Sequence, residues 1–295
     1  MLIRDYSVVV IDDFSSGKAR NLRHMKGNAN LTIIQGDVRD RALVKSATRR
    51  AKTIFHLAAR PSVPRSIKNP LVTNFVNVDG TLNLLKCAVE NHVSRFVNSS
   101  SSSVYGENIA PLKREDMTPR PISPYGVSKM AAESYTTAFY LTYGLPTVSL
   151  RYFNVYGPRQ VPGPYAAVIS SFISRAVAGK PPIIFGDGKQ ARDFTFVSDA
   201  VKANILASKS EGAIGETLNI GTGRATSINS LAKLIVRLSG SNSAGLVRTG
   251  PRTGDIRRSC ADIAKAKRLL GYLPQVTLEV GLKTVINWFH RRREF

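Results

Sequence analysis

Tyr125 and Lys129 are four residues apart, so a helix would place the phenol and the ammonium group on the same face. A free tyrosine has a pKa of about 10, which is too high for a general base near neutral pH. A neighbouring lysine cation favours the phenolate and lowers that pKa. A serine hydroxyl from the run at residues 99–103 can bind the same substrate oxygen as the phenol. These residue types predict oxidation of a secondary alcohol, in which a proton leaves the oxygen while hydride leaves the carbon.

The elements that must position these groups are hydrophobic runs followed by carboxylates, alanines or serines. Asp12 follows the first run, and dinucleotide-binding folds hold the adenosine ribose with an acidic residue at such a strand end. The pattern predicts an α/β fold with a Rossmann-like doubly wound parallel sheet. The runs are residues 8–11, 33–34, 53–57 and 95–97. Helices are predicted at 71–91 and 125–143, and strands at 94–99 and 146–151.

The second half of the chain has a different pattern from the first. From about residue 155 onward, Gly and Pro punctuate shorter elements. We therefore predict a Rossmann-like domain at residues 1–155 and a smaller C-terminal substrate-binding lobe at residues 156–295. Some segments of the second half are expected to return to the first domain.

The composition limits the class of protein. With 295 residues and 43% hydrophobic residues, the chain can bury a large core. No hydrophobic stretch reaches the ~18 residues that a membrane helix needs, and we expect a cytoplasmic protein without a membrane partner. Cys87 and Cys260 are too few and too far apart for a disulfide framework or a zinc site. The histidines have no metal-ligand spacing, so no metal is predicted.

The formal net charge of +22 exceeds what the binding of one diphosphate requires. Basic residues are spread along the chain, with small clusters at residues 49–52 and 291–293. Such a surface attracts polyanions and steers anionic substrates. Aromatic residues do not alternate with these clusters as they do in grooves that bind single-stranded nucleic acid. Nucleic acid binding is therefore the less favoured interpretation.

Several motifs occur in order along the chain. They are VIDDFSSG (10–17), GDVRD (36–40), HLAA (56–59), SSSSVYG (100–106), SPYGVSK (123–129), LRYFNVYGPRQ (150–160), FGDGKQARDFTFVSDA (185–200), NIGTG (219–223) and PRTGD (251–255). Together they resemble the extended short-chain dehydrogenase/reductase family and, within it, the nucleotide-sugar epimerases and dehydratases. The resemblance implies NAD as the cofactor, a UDP-sugar as the substrate and a homodimer formed by the helices at 71–91 and 125–143.

The resemblance assigns roles to individual residues. Ser101, Tyr125 and Lys129 match the catalytic serine, the base and its lysine partner. Acidic Asp12 matches the adenosine-ribose ligand and argues for NAD over NADP. The other positions that match cofactor-binding residues are Asp13, Ser15, Ser16, Gly17, Asp37, Val38, Leu57, Ala58, Ala59, Asn77, Ser99, Tyr125, Lys129 and Phe153. Ser101 and Val168 are among the positions that match substrate-binding residues.

The other substrate positions lie in the second half of the chain. Arg192 and Arg252 match a clamp for the pyrophosphate, where guanidinium groups offer bidentate hydrogen bonds. Asn154 matches a contact to the diphosphate, and Asp255 matches a ligand of the uridine ribose. Ser259 matches a gate beside the C2 substituent of the sugar. A tyrosine there would exclude an N-acetyl group, whereas a serine leaves room for it.

One departure from the family concerns the turn Gly-x-x-Gly-x-x-Gly, which follows the family's first strand and opens the helix that holds the pyrophosphate. This spacing of glycines does not occur in the sequence, and residues 1–6 resemble the tail of that helix. We therefore expect the strands on either side of the family's first strand to keep unpaired edges. The chain is either a shortened form of an active enzyme, which we favour, or a protein that has lost tight NAD binding.

The resemblance favours epimerisation over elimination of water. Dehydratases place an Asp-Glu pair after the catalytic hydroxyl residue, and these positions are Ser102 and Ser103 here. Residues 62–67 and 159–169 look most like UDP-N-acetylhexosamine 4-epimerases. We predict an NAD-dependent 4-epimerase of UDP-Glc/UDP-Gal that also accepts UDP-GlcNAc/UDP-GalNAc. The alternatives are a UDP-glucuronate epimerase or decarboxylase and, in another class, a degenerate family member that binds nucleic acid or acts as a scaffold.

Overall fold

The structure is a computed structural model that describes residues 6–160, 167–241, 245–251 and 254–291. The strands are β1 (Val8–Asp12), β2 (Leu31–Gln35), β3 (Thr53–His56), β4 (Arg95–Ser101), β5 (Thr147–Tyr152), β6 (Ile183–Phe185), β7 (Ala191–Asp193), β8 (Thr217–Ile220), β9 (Ala225–Ser227), β10 (Val247–Thr249) and β11 (Arg258–Ser259). The α-helices are α1 (Arg41–Ala47), α2 (Val63–Lys68), α3 (Pro70–Asn74), α4 (Gly80–Glu90), α5 (Pro124–Tyr143), α6 (Val168–Val177), α7 (Val197–Lys209), α8 (Ile228–Ser239), α9 (Ala264–Leu270) and α10 (Leu278–Arg291).

The central sheet contains β3, β4, β5 and β8 in that order, and all its pairs are parallel. Helices cover both faces, because successive side chains of a strand point to opposite sides. Phe96 of β4 packs with Leu84 and Phe139, from α4 and α5, in one core. Its neighbour Val97 packs with Ala203 of α7 in another core. This arrangement confirms the predicted Rossmann-like fold, and β8 returns from the second half of the chain.

Strands β1 and β2 form a separate parallel pair. In the described part of the chain, neither of them pairs with β3, and β3 pairs with β4 alone. The prediction that the strands on either side of the family's first strand keep unpaired edges is therefore confirmed for β1 and β3. The pair is lightly covered, since Val9 and Ile33 are 48% and 45% exposed.

The second half of the chain builds its own hydrophobic core around α6, α8 and α10. Two small sheets border this core, one with the order β11-β7-β9 and one that pairs β10 with β6. The core contains large side chains such as Phe172, Ile184 and Leu231. None of the helices in the described ranges is long and apolar enough to cross a membrane.

The two long helices predicted from the sequence are present. The predicted helix at 71–91 corresponds to α3 and α4, which are joined by a single π-helical turn at Phe75–Asp79. The predicted helix at 125–143 corresponds to α5. π-Helical turns inside α-helices are frequent at functional sites. This one contains the predicted cofactor residue Asn77.

Candidate active site

Helix α5 lies beside the end of β4 and brings the predicted catalytic residues together. Lys129 Nζ donates to the carbonyl oxygen of Ser99 at 2.6 Å. The Tyr125 hydroxyl lies one turn earlier on the helix and faces the Ser101 side chain, which acts to lower the pKa of the phenol. Ser101 ends β4, and its Oγ also accepts the N–H of Ser103 at 3.2 Å. The strand end and the helix thus face each other with a hydroxyl, a phenol and an ammonium group.

The start of α5 is held tightly in place. A Cβ at Gly126 would lie 2.7 Å from the carbonyl oxygen of Ser103, so only glycine allows this close approach. The Ser123 hydroxyl caps the helix by accepting the Gly126 N–H at 3.1 Å. The Ser66 hydroxyl of α2 accepts the Tyr125 N–H at 3.0 Å. The first N–H groups of a helix have no partner within the helix, and here those of Tyr125 and Gly126 are hydrogen-bonded to serine hydroxyls.

The electrostatics of the site differ in one respect from the sequence prediction. Burial lowers the pKa of Lys129 to about 8. Burial raises the pKa of Tyr125, and the hydrogen bond from Ser101 opposes this shift. Lys129 was predicted to lower the pKa of Tyr125, but this prediction is wrong for the present structure. The physical reason is that desolvation of the phenol outweighs the other effects, while the ammonium group bonds to a backbone carbonyl.

The predicted ribose-binding turn follows β1. Asp12 Oδ1 accepts the N–H of Phe14 at 2.8 Å. A Cβ at Gly17 would lie 3.2 Å from Asp12 Oδ2, so the glycine lets the turn close over the carboxylate. Ser15 and Ser16 are exposed in this turn. The carboxylate is partly exposed at the carboxyl end of a parallel strand, where dinucleotide ribose groups bind.

The loop after β3 connects this turn to the catalytic helix. Arg60 contacts Asp13 at 3.5 Å between Nη2 and Oδ2. The Arg60 N–H donates to Asn77 Oδ1 at 2.6 Å. Asn77 Nδ2 donates to the hydroxyl of Ser128, the residue before Lys129, at 2.9 Å. The predicted cofactor residues Asp13 and Asn77 therefore lie on two sides of one loop.

The remaining predicted cofactor residues lie near the carboxyl ends of β2, β3 and β5. Asp37 is held by Arg39, whose side-chain hydrogen bonds lower the pKa of the carboxyl. Val38 is buried, and its carbonyl accepts Asn83 Nδ2 at 2.7 Å. Leu57 is 61% exposed. Ala58 and Ala59 are partly buried, and Phe153 is fully buried.

The predicted substrate residues form two groups. Asn154 and Val168 line the same small cavity of about 110 Å³. Arg192 and Asp255 form an ion pair with each other. Ser259 of β11 is buried and is the register partner of Arg192 on β7. Arg252, the other predicted clamp residue, lies outside the described residues.

Sequence reasoning missed two buried charged residues beside the catalytic helix. Glu133 lies one turn after Lys129 on α5, and Arg151 lies on β5. They form an ion pair in which Arg151 Nε donates to Glu133 Oε2 at 3.0 Å. The spacing of Tyr125, Lys129 and Glu133, each one turn apart, was the available signal. In the described ranges, no cluster of His, Cys, Asp or Glu residues could hold a metal ion.

Comparisons with known proteins identify the class to which this fold and site belong. The model of the family described as GDP-mannose 4,6 dehydratase matches residues 1–285. The UDP-glucose 4-epimerase of Mycolicibacterium smegmatis is 37% identical over 100% of this chain and 94% of its own length. The chain belongs to this family of nucleotide-sugar epimerases and dehydratases, as the sequence resemblance predicts.

Solved structures agree with this assignment. The UDP-glucose 4-epimerase of Thermotoga maritima with UDP-glucose is 39% identical, with a TM-score of 0.94 over 99% of this chain and 94% of that one. The UDP-N-acetylglucosamine 4-epimerase of Methanobrevibacter ruminantium M1 in complex with UDP-N-acetylmuramic acid is also 39% identical, with a TM-score of 0.94 over 99% and 93%. The UDP-glucose 4-epimerase of Thermus thermophilus is in complex with NAD, the predicted cofactor. It is 32% identical, with a TM-score of 0.89 over 98% and 93%.

The similar proteins also include other reactions. The UDP-glucuronate 4-epimerase of Thermodesulfobacterium geofontis is 36% identical over 90% of this chain and 82% of its own length. The dTDP-glucose 4,6-dehydratase of an Actinoplanes species is 31% identical over 98% and 89%. Overall similarity therefore does not distinguish the substrates, and the residues of the site must do so.

Proposed function

We propose that this chain is an NAD-dependent 4-epimerase of UDP-sugars. The observation that carries the proposal is the meeting of Ser101, Tyr125 and Lys129 at the end of β4. A hydroxyl and a phenol directed at one place suit the removal of a proton from a sugar hydroxyl. The similarity to UDP-sugar 4-epimerases over nearly the whole chain supports the same reaction.

The residues present fit NAD at its ribose and nicotinamide ends. Asp12 would accept hydrogen bonds from the adenosine ribose, and Lys129 would bind the nicotinamide ribose. NAD, when bound, supplies the chemistry that accepts hydride from the sugar C4 and returns it. Tyr125 takes the proton of the C4 hydroxyl and holds it, while the Ser101 hydroxyl binds the same oxygen. After the 4-keto sugar has rotated and presents its opposite face for reduction at C4, Tyr125 returns the proton to the C4 oxygen.

Elimination of water is disfavoured by the residues that follow Ser101. A dehydratase needs an acid and a base at these positions, and Ser102 and Ser103 carry hydroxyl groups instead. The Ser103 hydroxyl already contacts Ser101 Oγ at 3.1 Å. The site can thus support oxidation and reduction at C4 but has no carboxylates at these two positions for the loss of water.

The substrate range depends on Ser259. Its small side chain is buried beside Arg192, which is the predicted ligand of the substrate pyrophosphate. An unpaired amide in an apolar pocket costs about 1–3 kcal/mol, and a serine hydroxyl can pair with it. We propose that the chain accepts UDP-GlcNAc and UDP-GalNAc as well as UDP-Glc and UDP-Gal.

A paired assay tests the reaction and its specificity. The wild type should epimerise UDP-GlcNAc with a kcat/KM within about tenfold of that for UDP-Glc, which corresponds to about 1.4 kcal/mol in transition-state binding. Ser259→Tyr should abolish the N-acetyl activity and spare UDP-Glc, because the larger side chain fills the space. UDP-glucuronate, as a third substrate, tests the alternative. If the Tyr variant loses both hexoses equally, Ser259 is not the gate.

We also propose that two copies of this chain associate through α3 and α5. Both helices expose apolar side chains to solvent. Single exposed apolar residues are normal on a protein surface, but a larger apolar patch marks an interaction site. Leu71 of α3 is 67% exposed, and Phe75, in the π-helical turn that follows α3, is 46% exposed. Val127 and Leu141 of α5 are 47% and 75% exposed. The resemblance to a family that dimerises through these helices supports a second copy as the partner.

Sedimentation of a charged variant tests this association. Leu141→Glu should convert a dimer to a monomer at micromolar concentration, since burying an unpaired carboxylate is unfavourable. Ile109→Glu is the matched control, because Ile109 is fully exposed on a loop between β4 and α5. A wild type that sediments as a monomer would contradict the proposal.

A further inference from the structure

Helix α5 faces three consecutive residues at the end of β4 and is hydrogen-bonded to two of them. Lys129 bonds to the Ser99 carbonyl at 2.6 Å, and Glu133, one turn later, accepts the Ser100 hydroxyl at 2.6 Å. Side chains one turn apart on a helix lie on the same face, so all these contacts form on one side of α5. The facing pairs, in strand order, are Ser99–Lys129, Ser100–Glu133 and Ser101–Tyr125; the first two are hydrogen bonds, and in the third the Ser101 side chain acts on the pKa of the phenol.

A second strand, β5, reinforces the contact between Ser100 and Glu133. Arg151 of β5 is the register partner of Ser100 of β4, so both side chains point toward the helix. Arg151 forms a bidentate ion pair with Glu133, in which Arg151 Nε donates to Glu133 Oε2 at 3.0 Å and Nη2 donates to Oε1. The side chains of Arg151 and Glu133 are only 4% and 10% exposed. Bidentate geometry fixes orientation as well as distance.

The rest of the Arg151 guanidinium is also bound. Its Nη1 donates to the Tyr105 hydroxyl at 2.8 Å, and its carbon lies 4.7 Å from the centre of the Tyr105 ring. The Tyr105 hydroxyl donates to Asn219 Oδ1 at 2.7 Å. Asn219 belongs to β8, so the network spans the catalytic helix and three strands or their ends. A buried network with its members paired is rigid.

We propose that Glu133, held by Arg151, is a positioning residue that sets the separation of the Tyr125 and Ser101 hydroxyls. Its carboxylate lies on the far side of Lys129 from the phenol and bonds to the strand rather than to the catalytic hydroxyls. It acts by fixing α5 against β4 at the serine that precedes Ser101. A misplacement of about 1 Å at a reacting centre lowers rates by about 100-fold. The inference rests on the proposed epimerase function.

Kinetics of three variants test the proposal. Ser100→Ala removes one hydroxyl and keeps the Glu133–Arg151 pair, so it should fold. Glu133→Gln keeps the shape of the side chain and removes its charge. Both should lower kcat at least about tenfold and leave the KM for UDP-Glc within about threefold, because substrate contacts are kept. Thr136→Val is the matched control, since this buried hydroxyl on the same helix bonds to the Ala132 carbonyl and not to β4.

The pH profile and crystal structures separate a positioning role from a general loss of stability. The apparent pKa in the pH profile of kcat should shift in Ser100→Ala and stay in place in Thr136→Val. The reason is that only the first variant changes the surroundings of Tyr125. Crystal structures should show a longer Tyr125–Ser101 separation in Ser100→Ala, whichever sugar is the substrate. An unchanged separation overturns the inference alone. A wild type that turns over no UDP-sugar contradicts the proposed function alone.

Discussion

The two edges of the dinucleotide-binding half are built differently. At the catalytic edge, β4 and α5 are joined by buried hydrogen bonds between residues that are far apart in sequence, such as Ser100 and Glu133. At the ribose edge, Asp12 and Asp13 bond mainly within their own turn, two residues along the chain. The strands behind the two edges differ in the same way. Nearly all residues of β4 and β5 are buried, whereas those of β1 and β2 are partly or fully exposed.

The difference between the two edges indicates which part of the site is held in a fixed geometry by the protein itself. Long-range buried contacts hold the proposed proton-transferring groups in place without help from a ligand. The ribose edge has short-range bonds that are exposed or only partly buried, and one weak ion pair, Asp13–Arg60, which contributes little to stability. We infer that the catalytic edge is preorganised and that the ribose edge gains much of its order from what binds there.

The largest expected effect is on the chemistry of the catalytic edge. Tyr125→Phe should lower kcat at least about 100-fold, because it removes the general base. The free energy of unfolding should change little, since the ring still fills the same space. The measurement is steady-state turnover of UDP-Glc together with denaturant unfolding.

Tyr140→Phe serves as the control for this change. Tyr140 lies on the same helix and packs against Gly215, away from β4. It should keep wild-type turnover. Near-wild-type activity in the Tyr125 variant would remove the phenol from the mechanism and leave the preorganised edge without a function.

Hydrogen exchange should show the contrast between the edges directly. Backbone amides of β4 and β5 should exchange at least about tenfold more slowly than those of β1 and β2, because local opening is easier where few apolar groups are buried. Added NAD should protect β1 and the turn after it more than it protects β4. Equal protection of both pairs of strands would show that the ribose edge is as well ordered as the catalytic one.

The sequence was a better guide to the residues of the catalytic edge than to the buried residues that hold this edge in place. Tyr125 and Lys129 were predicted from their helical spacing, and Ser101 was selected from its serine run by resemblance to the family. Glu133 and Arg151 were missed, because a pairing between α5 and β5 depends on tertiary packing and not on local pattern. The direction of the Tyr125 pKa shift failed for a related reason. Desolvation depends on what surrounds the phenol, and spacing along one helix does not contain that information.

The ribose edge was predicted through an absence. The sequence lacks the spacing Gly-x-x-Gly-x-x-Gly, from which unpaired strand edges were expected, and β1 and β3 keep such edges in the described ranges. The ion pair between Arg192 and Asp255 was not foreseen, although both were predicted substrate ligands. Opposite charges that suit one ligand also attract each other when they lie side by side.

A further effect is expected on stability, because Lys129 is buried in the preorganised edge. Burial lowers its pKa to about 8 from the ordinary value of 10.5. Between these two pH values the unfolded chain holds a proton that the folded chain has released. Stability therefore rises with pH in this window, and the rise attributable to Lys129 is about 1.4 kcal/mol per pH unit. Below it, both states are protonated and the folded state carries the full cost of the buried cation.

Urea unfolding of wild type and Lys129→Met, both free of NAD, measures this effect from about pH 8 to about pH 10.5, the window set by the two pKa values. The wild type should gain stability relative to the variant as the pH rises, because methionine has no proton to lose. Lys18→Met removes an exposed lysine just after the ribose-binding turn and supplies the background pH dependence of a lysine deletion at the other edge. A wild type and a Lys129 variant whose stabilities stay parallel over this window would mean that Lys129 is solvated. The catalytic edge would then be as open to water as the ribose edge, and the contrast between them would not hold.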